Sequence, residues 1–539
     1  MQSVMNYDMS AAPTMTAPRA SFDRSHGYKT TIDFDSIYPV YYDEVYPGDT
    51  FTLNASAFGR LATPLHPVMD NMFIDIHFYY VPMRQLWVNS RKFFGEQVDP
   101  GDSIDYTIPT IAATTSTGYG ELSLPDYFGV PTKIPDYTWN ALYARAYVHI
   151  YNEWYRDQNL IDSVTFSTAD GPDTTTDLTI QKRGKRHDYF TGGLVSPQKN
   201  VDGAISMPLG TKAPVTGILK NDQTYNMSAA GTLYETGGSA STSLGANEGV
   251  NWSSAAATLY LAEDPDNAGY PGVFADLSNA AGATILQLRQ SMAIQALLEL
   301  DARAGTRYNE IVYSVYGVDM VDMTYKPEFL GGNSSPIGVQ QVPSTYDDDT
   351  NNTKGTLGAF GTVSMNGGGF TKSFTEHGVV IGLCSARADL TYQQGLDKLM
   401  KRSTRYDYLY PILQNIGDQA TTVDEIYCQD PATDTGSTGT PDNQRVFNYQ
   451  ERYAELKFKQ SRITGLFRSN CTASLESWHL SEEFGSLPSF NQTFIEQATP
   501  MDRAIVTQSE PHLILDMYFS LQCARPMQMY SIPGMGTRF

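Results

Sequence analysis

The densest concentration of chemistry-bearing side chains is Lys182-Arg183-Gly-Lys185-Arg186-His187, followed closely by Tyr189 and Phe190. Cations beside aromatic rings are the combination that neutralises phosphates and stacks unpaired bases. The same cations serve equally well in a solvated loop or in ion pairs between subunits, and the run alone leaves these readings open. A second basic group holds Lys398, Lys401, Arg402 and Arg405. A third is expected on an extended segment over residues 451–467. There Ala454, Leu456 and Phe458 take one face of a strand, and Glu455, Lys457 and Lys459 the other. These cations are the candidate anion-facing or inter-subunit residues.

Catalytic chemistry is not expected. The chain has no G-x-S-x-G elbow, H-E-x-x-H, Walker A or dinucleotide fingerprint. Its 8 histidines are scattered, and His149 reads as a core or boundary histidine. Carboxylates abound, but no pair stands out by spacing or apolar surroundings as a glycosidase would need. Residues 331–336 read as a loop without the Gly-Lys-Ser/Thr ending of a phosphate cradle, and Asp347-Asp-Asp349 lacks the EF-hand pattern. The cysteines, Cys384, Cys428, Cys471 and Cys523, form no C-x-x-C pair and read as reduced thiols. No catalytic residue, metal or cofactor is therefore assigned.

The elements that must carry these groups are mainly strands. Phe51, Leu53, Ala55 and Ala57 alternate with Thr52, Asn54 and Ser56. Met72, Ile74, Ile76, Phe78 and Tyr80 alternate with Phe73, Asp75, His77, Tyr79 and Val81. A period of two sends alternate side chains to opposite faces of a sheet, so this pair opens a β-sandwich. Further strands are expected from Ser25 to Val45, from Val379 to Ala388 and from His512 to Cys523. Helices are expected over residues 136–160, capped by Asp136, and over 285–303, stopped by Gly305. In the second, Ile285, Leu288, Met292, Ala296 and Leu300 form one apolar face, and Arg289 and Arg303 read as salt-bridging groups.

The 539 residues are enough for a large core, and a net charge of −22 disfavours bare nucleic acid or an anionic membrane as a partner of the whole surface. The first twenty residues lack a basic stretch and an apolar stretch, so no signal peptide is expected. Apolar runs are strand-sized, so no membrane insertion is expected either. The expected divisions are an arm, 1–25; a first core part, 26–200; a surface insertion, 201–283; a second core part, 284–523; and an extended tail, 524–539. The insertion is rich in small polar residues and lacks Lys and Arg between Asn221 and Leu288, while Asp222, Glu235, Glu248, Glu263, Asp264, Asp266 and Asp276 fall within that span.

Several runs together carry a resemblance. They are Arg24-Ser-His-Gly-Tyr-Lys-Thr-Thr31, Asp43-Glu-Val-Tyr-Pro-Gly-Asp-Thr-Phe51, Tyr151-Asn-Glu-Trp-Tyr-Arg156, Asp301-Ala-Arg-Ala-Gly-Thr-Arg-Tyr308, Arg387-Ala-Asp-Leu-Thr-Tyr-Gln-Gln-Gly395 and Ile463-Thr-Gly-Leu-Phe-Arg468. In this order the chain closely resembles the major capsid proteins of gokushoviruses, small single-stranded DNA bacteriophages of the Microviridae. The resemblance implies a single eight-stranded antiparallel jelly roll, with long loop insertions carrying a few helices. It implies homo-oligomers closing a T=1 icosahedral capsid in the bacterial cytoplasm, around circular single-stranded DNA and a small basic DNA-binding protein. It implies that the insertion forms protrusions at three-fold axes. There Leu259 and Leu261 would bury against neighbouring copies while the acids face outward, a natural place for a host receptor. Residues alone also leave a second class open, a β-rich carbohydrate-binding or carbohydrate-active protein.

Overall fold

The computed structural model describes residues 18–174, 178–197, 285–347 (side chains of 285, 287 and 288 excepted), 354–432, 434, 436 and 441–530, with the backbone of short strands between 215 and 275. The chain divides into two compact units, Gln198–Arg303 and the remainder.

The larger unit is built on two antiparallel sheets. Its strands are β1 (Ala20–Asp23), β2 (His26–Ile32), β3 (Tyr38–Val45), β4 (Thr50–Leu61), β5 (Met72–Pro82), β6 (Glu328–Pro336), β7 (Gly338–Pro343), β8 (Leu357–Ser373), β9 (Gly378–Ala388) and β10 (Leu513–Arg525). One sheet runs β1–β10–β4–β8–β7, with β2 also on β10; the other runs β6–β5–β9–β3. β1 and β2 take successive registers along β10, from Ala20 opposite Arg525 to Ile32 opposite Leu513. They act as one interrupted line. Only Ile337 separates β6 from β7, so a single extended stretch leaves one sheet and enters the other. Counted this way the described residues of this unit form eight extended lines in two antiparallel sheets, an arrangement consistent with the expected β-sandwich.

Alternation explains the core. Phe51, Leu53, Ala55 and Ala57 of β4 meet Ile74, Ile76, Phe78 and Tyr80 of β5, with Leu515, Met517 and Phe519 of β10. The opposite face of β5 is not left wet. Tyr79 and Val81 pack under a second layer containing Leu142, Ala146, Tyr147 and Ile150. That layer is α1, Ala141–Ile150, continued by a π-helical turn over Tyr151–Tyr155. The wider turn brings the Tyr155 hydroxyl to 2.8 Å from His77 Nδ1 and lets Trp154 Nε1–H donate to the Pro327 carbonyl at 2.9 Å. β9 is buried along its whole length, because both of its faces are covered.

Three local expectations need correction. The first helix starts at Ala141, not Asp136: Thr138–Asn140 pairs as a short strand with Thr110–Ala112, and Asn140 Oδ1 accepts from the Leu142 N–H. Tertiary pairing overrides the earlier cap. Residues 331–336 are strand β6, not a loop. Their small side chains permit close approach, since a Cβ on Gly332 would lie 2.4 Å from the Ile76 carbonyl. The expected strand over residues 451–467 is also absent. Val446–Glu451 is a strand, but Tyr453 turns left-handed at φ 65° and Ala454–Lys457 forms one helical turn. The helix expected over 285–303 is present as Ile285–Ala304, and none of its described side chains is buried.

His149 is a boundary histidine, as expected. Its Nε2 lies 3.2 Å from Gln85 Oε1, and burial pushes its pKa down to about 4. Residues 1–17 and 531–539 lie outside the described residues, and with them most of the expected arm and tail.

Candidate functional site

The run 182–187 lies beside the sandwich, and its cations separate into two kinds. Arg183 Nη1 donates to Asp75 Oδ2 at 2.6 Å and to Ser385 Oγ at 3.0 Å. The same carboxylate accepts from Arg387 Nε at 2.9 Å and from the Ser334 hydroxyl at 2.6 Å. Asp75 sits on β5, Ser334 on β6, and Ser385 and Arg387 on β9. One carboxylate thus ties three strands to the basic run. Burial alone would raise its pKa, but the Ser334 hydroxyl and the two guanidiniums outweigh burial and hold it at about 2. Lys185 is buried, 2.6 Å from Glu482 Oε2, with its ammonium over the Phe494 ring. Lys182 and Arg186 are exposed and form no ion pair among the described residues.

The neighbouring aromatics do not serve as a stacking platform. Tyr189 and Phe190 are fully buried. The Tyr189 hydroxyl donates to Glu425 Oε2 at 2.8 Å, and Phe190 packs edge-on against Tyr392. Together with Val423, Ile426, Phe447 and Ile495 they form a separate apolar cluster beneath the hairpin Asp418–Thr422 and Val446–Glu451.

The second basic group lines a cleft of about 330 Å³. Lys398 Nζ lies 3.4 Å from Glu425, Lys401 Nζ 2.6 Å from Asp424, and Arg402 Nη2 2.9 Å from Glu455. Glu455 is buried, yet its pKa is lowered: hydrogen bonds from Gln419 and Arg402 overcome the burial. Each of these three cations has a carboxylate partner, while Arg452, which also lines the cleft, has its guanidinium over the Tyr453 ring. Arg405 differs. It is exposed, with its guanidinium over the rings of Tyr406 and Tyr410.

Lys457 and Lys459 do not form a basic sheet face, since the strand meant to hold them is absent. Lys457 pairs with Glu451, and Lys459 Nζ lies 3.1 Å from Asp397 Oδ2. Of the insertion residues, Asp222, Glu235, Glu248, Leu259, Leu261 and Asp266 lie outside the described residues. Glu263–Asp264 is seen as backbone only, a short strand antiparallel to Asn267–Pro271.

Glu425 is the hub between the cleft and the buried cluster, and backbone packing fixes it. A Cβ on Gly395 would lie 1.9 Å from the Glu425 carbonyl oxygen. Gly395→Ala is therefore expected to destabilise the subunit by about 1–3 kcal/mol, read as a lower denaturant midpoint. An unchanged midpoint would mean that this backbone contact is not tight.

One feature escaped the sequence reading. Residues 400–416 are irregular and expose an apolar surface: Met400 is 73 % exposed and Ile412 85 %, with Tyr406, Tyr408, Leu409 and Ile416 also exposed. The hydrophobic content is plain in the sequence, but without periodicity it assigns no face. Patches of this kind mark association surfaces.

Among the described residues no group of three or more His, Cys, Asp or Glu could hold a metal ion, and no helix is long and apolar enough to cross a membrane. An antiparallel β-sandwich with most basic side chains paired inside the subunit, and with apolar surface turned outward, has the features expected of a coat-type structural protein. The chain belongs to the phage family described as capsid protein (F protein), whose model matches residues 10–535. It is 43 % identical over 534 residues to capsid protein VP1 of Bdellovibrio phage phiMH2K, covering 98 % of this chain and 97 % of that protein. It is 38 % identical to capsid protein VP1 of Chlamydia phage 1, covering 99 % and 98 % respectively. With capsid protein VP1 of Spiroplasma virus 4 the identity is 32 %, covering 96 % and 95 %. These relatives are all of the gokushovirus type within the Microviridae. The chain is thus a capsid protein and a virion component, structural and not enzymatic, and the carbohydrate-active reading falls.

Proposed function

We propose that copies of this chain close a T=1 icosahedral shell around a circular single-stranded DNA genome, assembled in the bacterial host cytoplasm. The observation that carries the reading is the exposed apolar segment 400–416 on a subunit whose own cores are already filled. Neighbouring copies would remove that surface from water. The genome-facing cations are Lys182, Arg186 and Arg405, which are exposed and have no carboxylate partner among the described residues; the remaining candidates, the exposed Lys457 and Lys459 included, pair with carboxylates of the subunit. A small basic protein of the virus supplies further positive charge around the DNA. The insertion 201–283 forms protrusions at the three-fold axes and binds the host surface receptor.

Electron microscopy of the expressed protein, with recovery of nuclease-protected DNA from infected cells, tests the shell. Uniform closed particles protecting single-stranded DNA are expected; soluble monomers at high concentration would overturn the reading. Replacing residues 222–280 with a short Gly-Ser linker tests the insertion. Particles should form but lose host attachment. Unchanged attachment would remove the receptor role, and lost assembly of a folded subunit would make the insertion a clamp.

A further inference from the structure

The chain contains a single Asn-Gly pair, Asn366-Gly367, and it falls inside β8 where the ladder to β4 is interrupted. Asn366 lies opposite Ser56, and pairing resumes with Gly369 opposite Asn54. Gly367 and Gly368 therefore stand together against Ala55 as a bulge. Both glycines are left-handed, at φ 80° and 101°. The bulge is held from the other sheet. Asn333 of β6 donates through Nδ2 to the Gly367 carbonyl at 2.9 Å and reaches the Asn366 carbonyl at 3.5 Å. A Cβ on Gly368 would lie 2.4 Å from the Asn333 Cβ. Gly367 itself is open, since a Cβ there would meet nothing within 4 Å. The Asn366 side chain is exposed, on the outward face of the sheet.

An asparagine carries its own electrophile, the side-chain amide carbon, close to the backbone nitrogen of the next residue. In a regular ladder the strand fixes that nitrogen away from reaction. At an unpaired glycine it does not, and no side chain shields it. We propose that Asn366 is a site of spontaneous self-modification, converted in the folded subunit to aspartate and isoaspartate. Hydroxide takes the Gly367 N–H proton. The charge left behind is shared with the Asn366 carbonyl oxygen, toward which the Asn333 amide is turned. The Gly367 nitrogen then attacks Asn366 Cγ. A C–N bond forms and closes a succinimide ring, the Cγ–Nδ2 bond breaks, and Nδ2 takes a proton from water and leaves as ammonia, which restores the hydroxide. Water then adds to either ring carbonyl, and the C–N bond that breaks decides between aspartate and isoaspartate. Either product places a negative charge among the uncharged Asn54, Ser56 and Ser364. Isoaspartate also lengthens the backbone of β8 by a methylene, at the point where pairing is already broken. Aged subunits are thus more acidic than new ones.

Peptide masses followed during ageing of the full-length protein test this, in the same alkaline buffer with and without guanidinium chloride. The peptide holding Asn366 should gain the mass difference between NH2 and OH and separate into aspartyl and isoaspartyl forms. The folded protein should convert at a rate within about tenfold of the denatured chain, because an unpaired bulge gives little protection. Raising the pH should speed both. Asn366→Gln, an exposed change that should leave the unfolding midpoint where it was, should remove the principal acidic species that ageing of the folded protein produces on ion exchange. A folded-state rate slower than that tenfold limit would show that the ladder holds the site, and would overturn the proposal. An Asn366 peptide that keeps its mass, or an acidic species undiminished in Asn366→Gln, would overturn it as well. None of these outcomes bears on the capsid reading, which stands on other residues.

Discussion

Replacing Asp75 with alanine is expected to cost about 3–5 kcal/mol of subunit stability, the range for removing one partner of a buried ion pair. The Asp75 carboxylate accepts from Arg183, Arg387 and Ser334 and is almost fully buried. Without it Arg387 keeps Asp389 at 3.0 Å and the Phe73 ring, but Arg183 keeps only the Ser385 hydroxyl among these partners. The loss is therefore mainly that of a half-buried guanidinium left without its counter-charge. Arg183→Met placed on top of Asp75→Ala should recover part of the loss, because it removes the stranded charge while keeping the aliphatic volume. The same carboxylate sets an acid limit. Its folded pKa of about 2 lies below the ordinary 3.8, so its contribution is complete above about pH 4 and fades as pH falls toward 2. The stabilisation at stake is about 2 kcal/mol, and Asp75→Asn should flatten that part of the stability–pH curve. Chemical denaturation of disassembled subunits measures both effects. A cost below about 1 kcal/mol for Asp75→Ala would show that solvent reaches the pair.

The strands that build the sandwich were legible because one-sided burial imposes period two, which β4, β5 and β10 carry in sequence, while β9, covered on both faces, reads as a continuous apolar run. β6 was not, because Gly331, Gly332, Asn333, Ser334 and Ser335 have the composition of a loop. Their pairing to β5 rests on close backbone approach, which composition does not record. Residues 454–458 show the opposite failure. Ala454, Leu456 and Phe458 alternate as a strand would, yet left-handed Tyr453 starts a helical turn, and Glu455 is drawn inward by Arg402 and Gln419. The basic clusters were visible as charge, but their partners were not. Lys185 finds Glu482, and Tyr189 finds Glu425, both hundreds of residues away in the chain. Charge density in sequence therefore overstated the free positive surface: of the candidate cations Lys182, Arg186, Arg405, Lys457 and Lys459 are exposed, and the last two are paired with Glu451 and Asp397.

The double variant Ile412→Asp with Ile416→Asp is expected to prevent particle formation while leaving the subunit folded. Both side chains lie on the exposed segment beyond the 3₁₀ turn Pro411–Leu413 or within it, and neither belongs to a core cluster. Exposed substitutions away from special features usually change stability by less than about 0.5 kcal/mol, so the subunit's unfolding curve should not move. Assembly differs, because each isoleucine buried against a neighbour contributes about 1.5–3 kcal/mol and a carboxylate in its place must also be desolvated. Losing the apolar term for both positions alone amounts to at least about 3 kcal/mol per contact, a rise of roughly 100-fold in the protein concentration needed for association. Closure of a shell repeats the loss at every copy. Sedimentation velocity separates the outcomes: subunits alone at concentrations where the parent chain is fully assembled support the interface. Particles formed at the parent concentration would show that segment 400–416 stays in solvent in the shell. An unfolded variant would place these side chains in a core and remove the argument from their exposure.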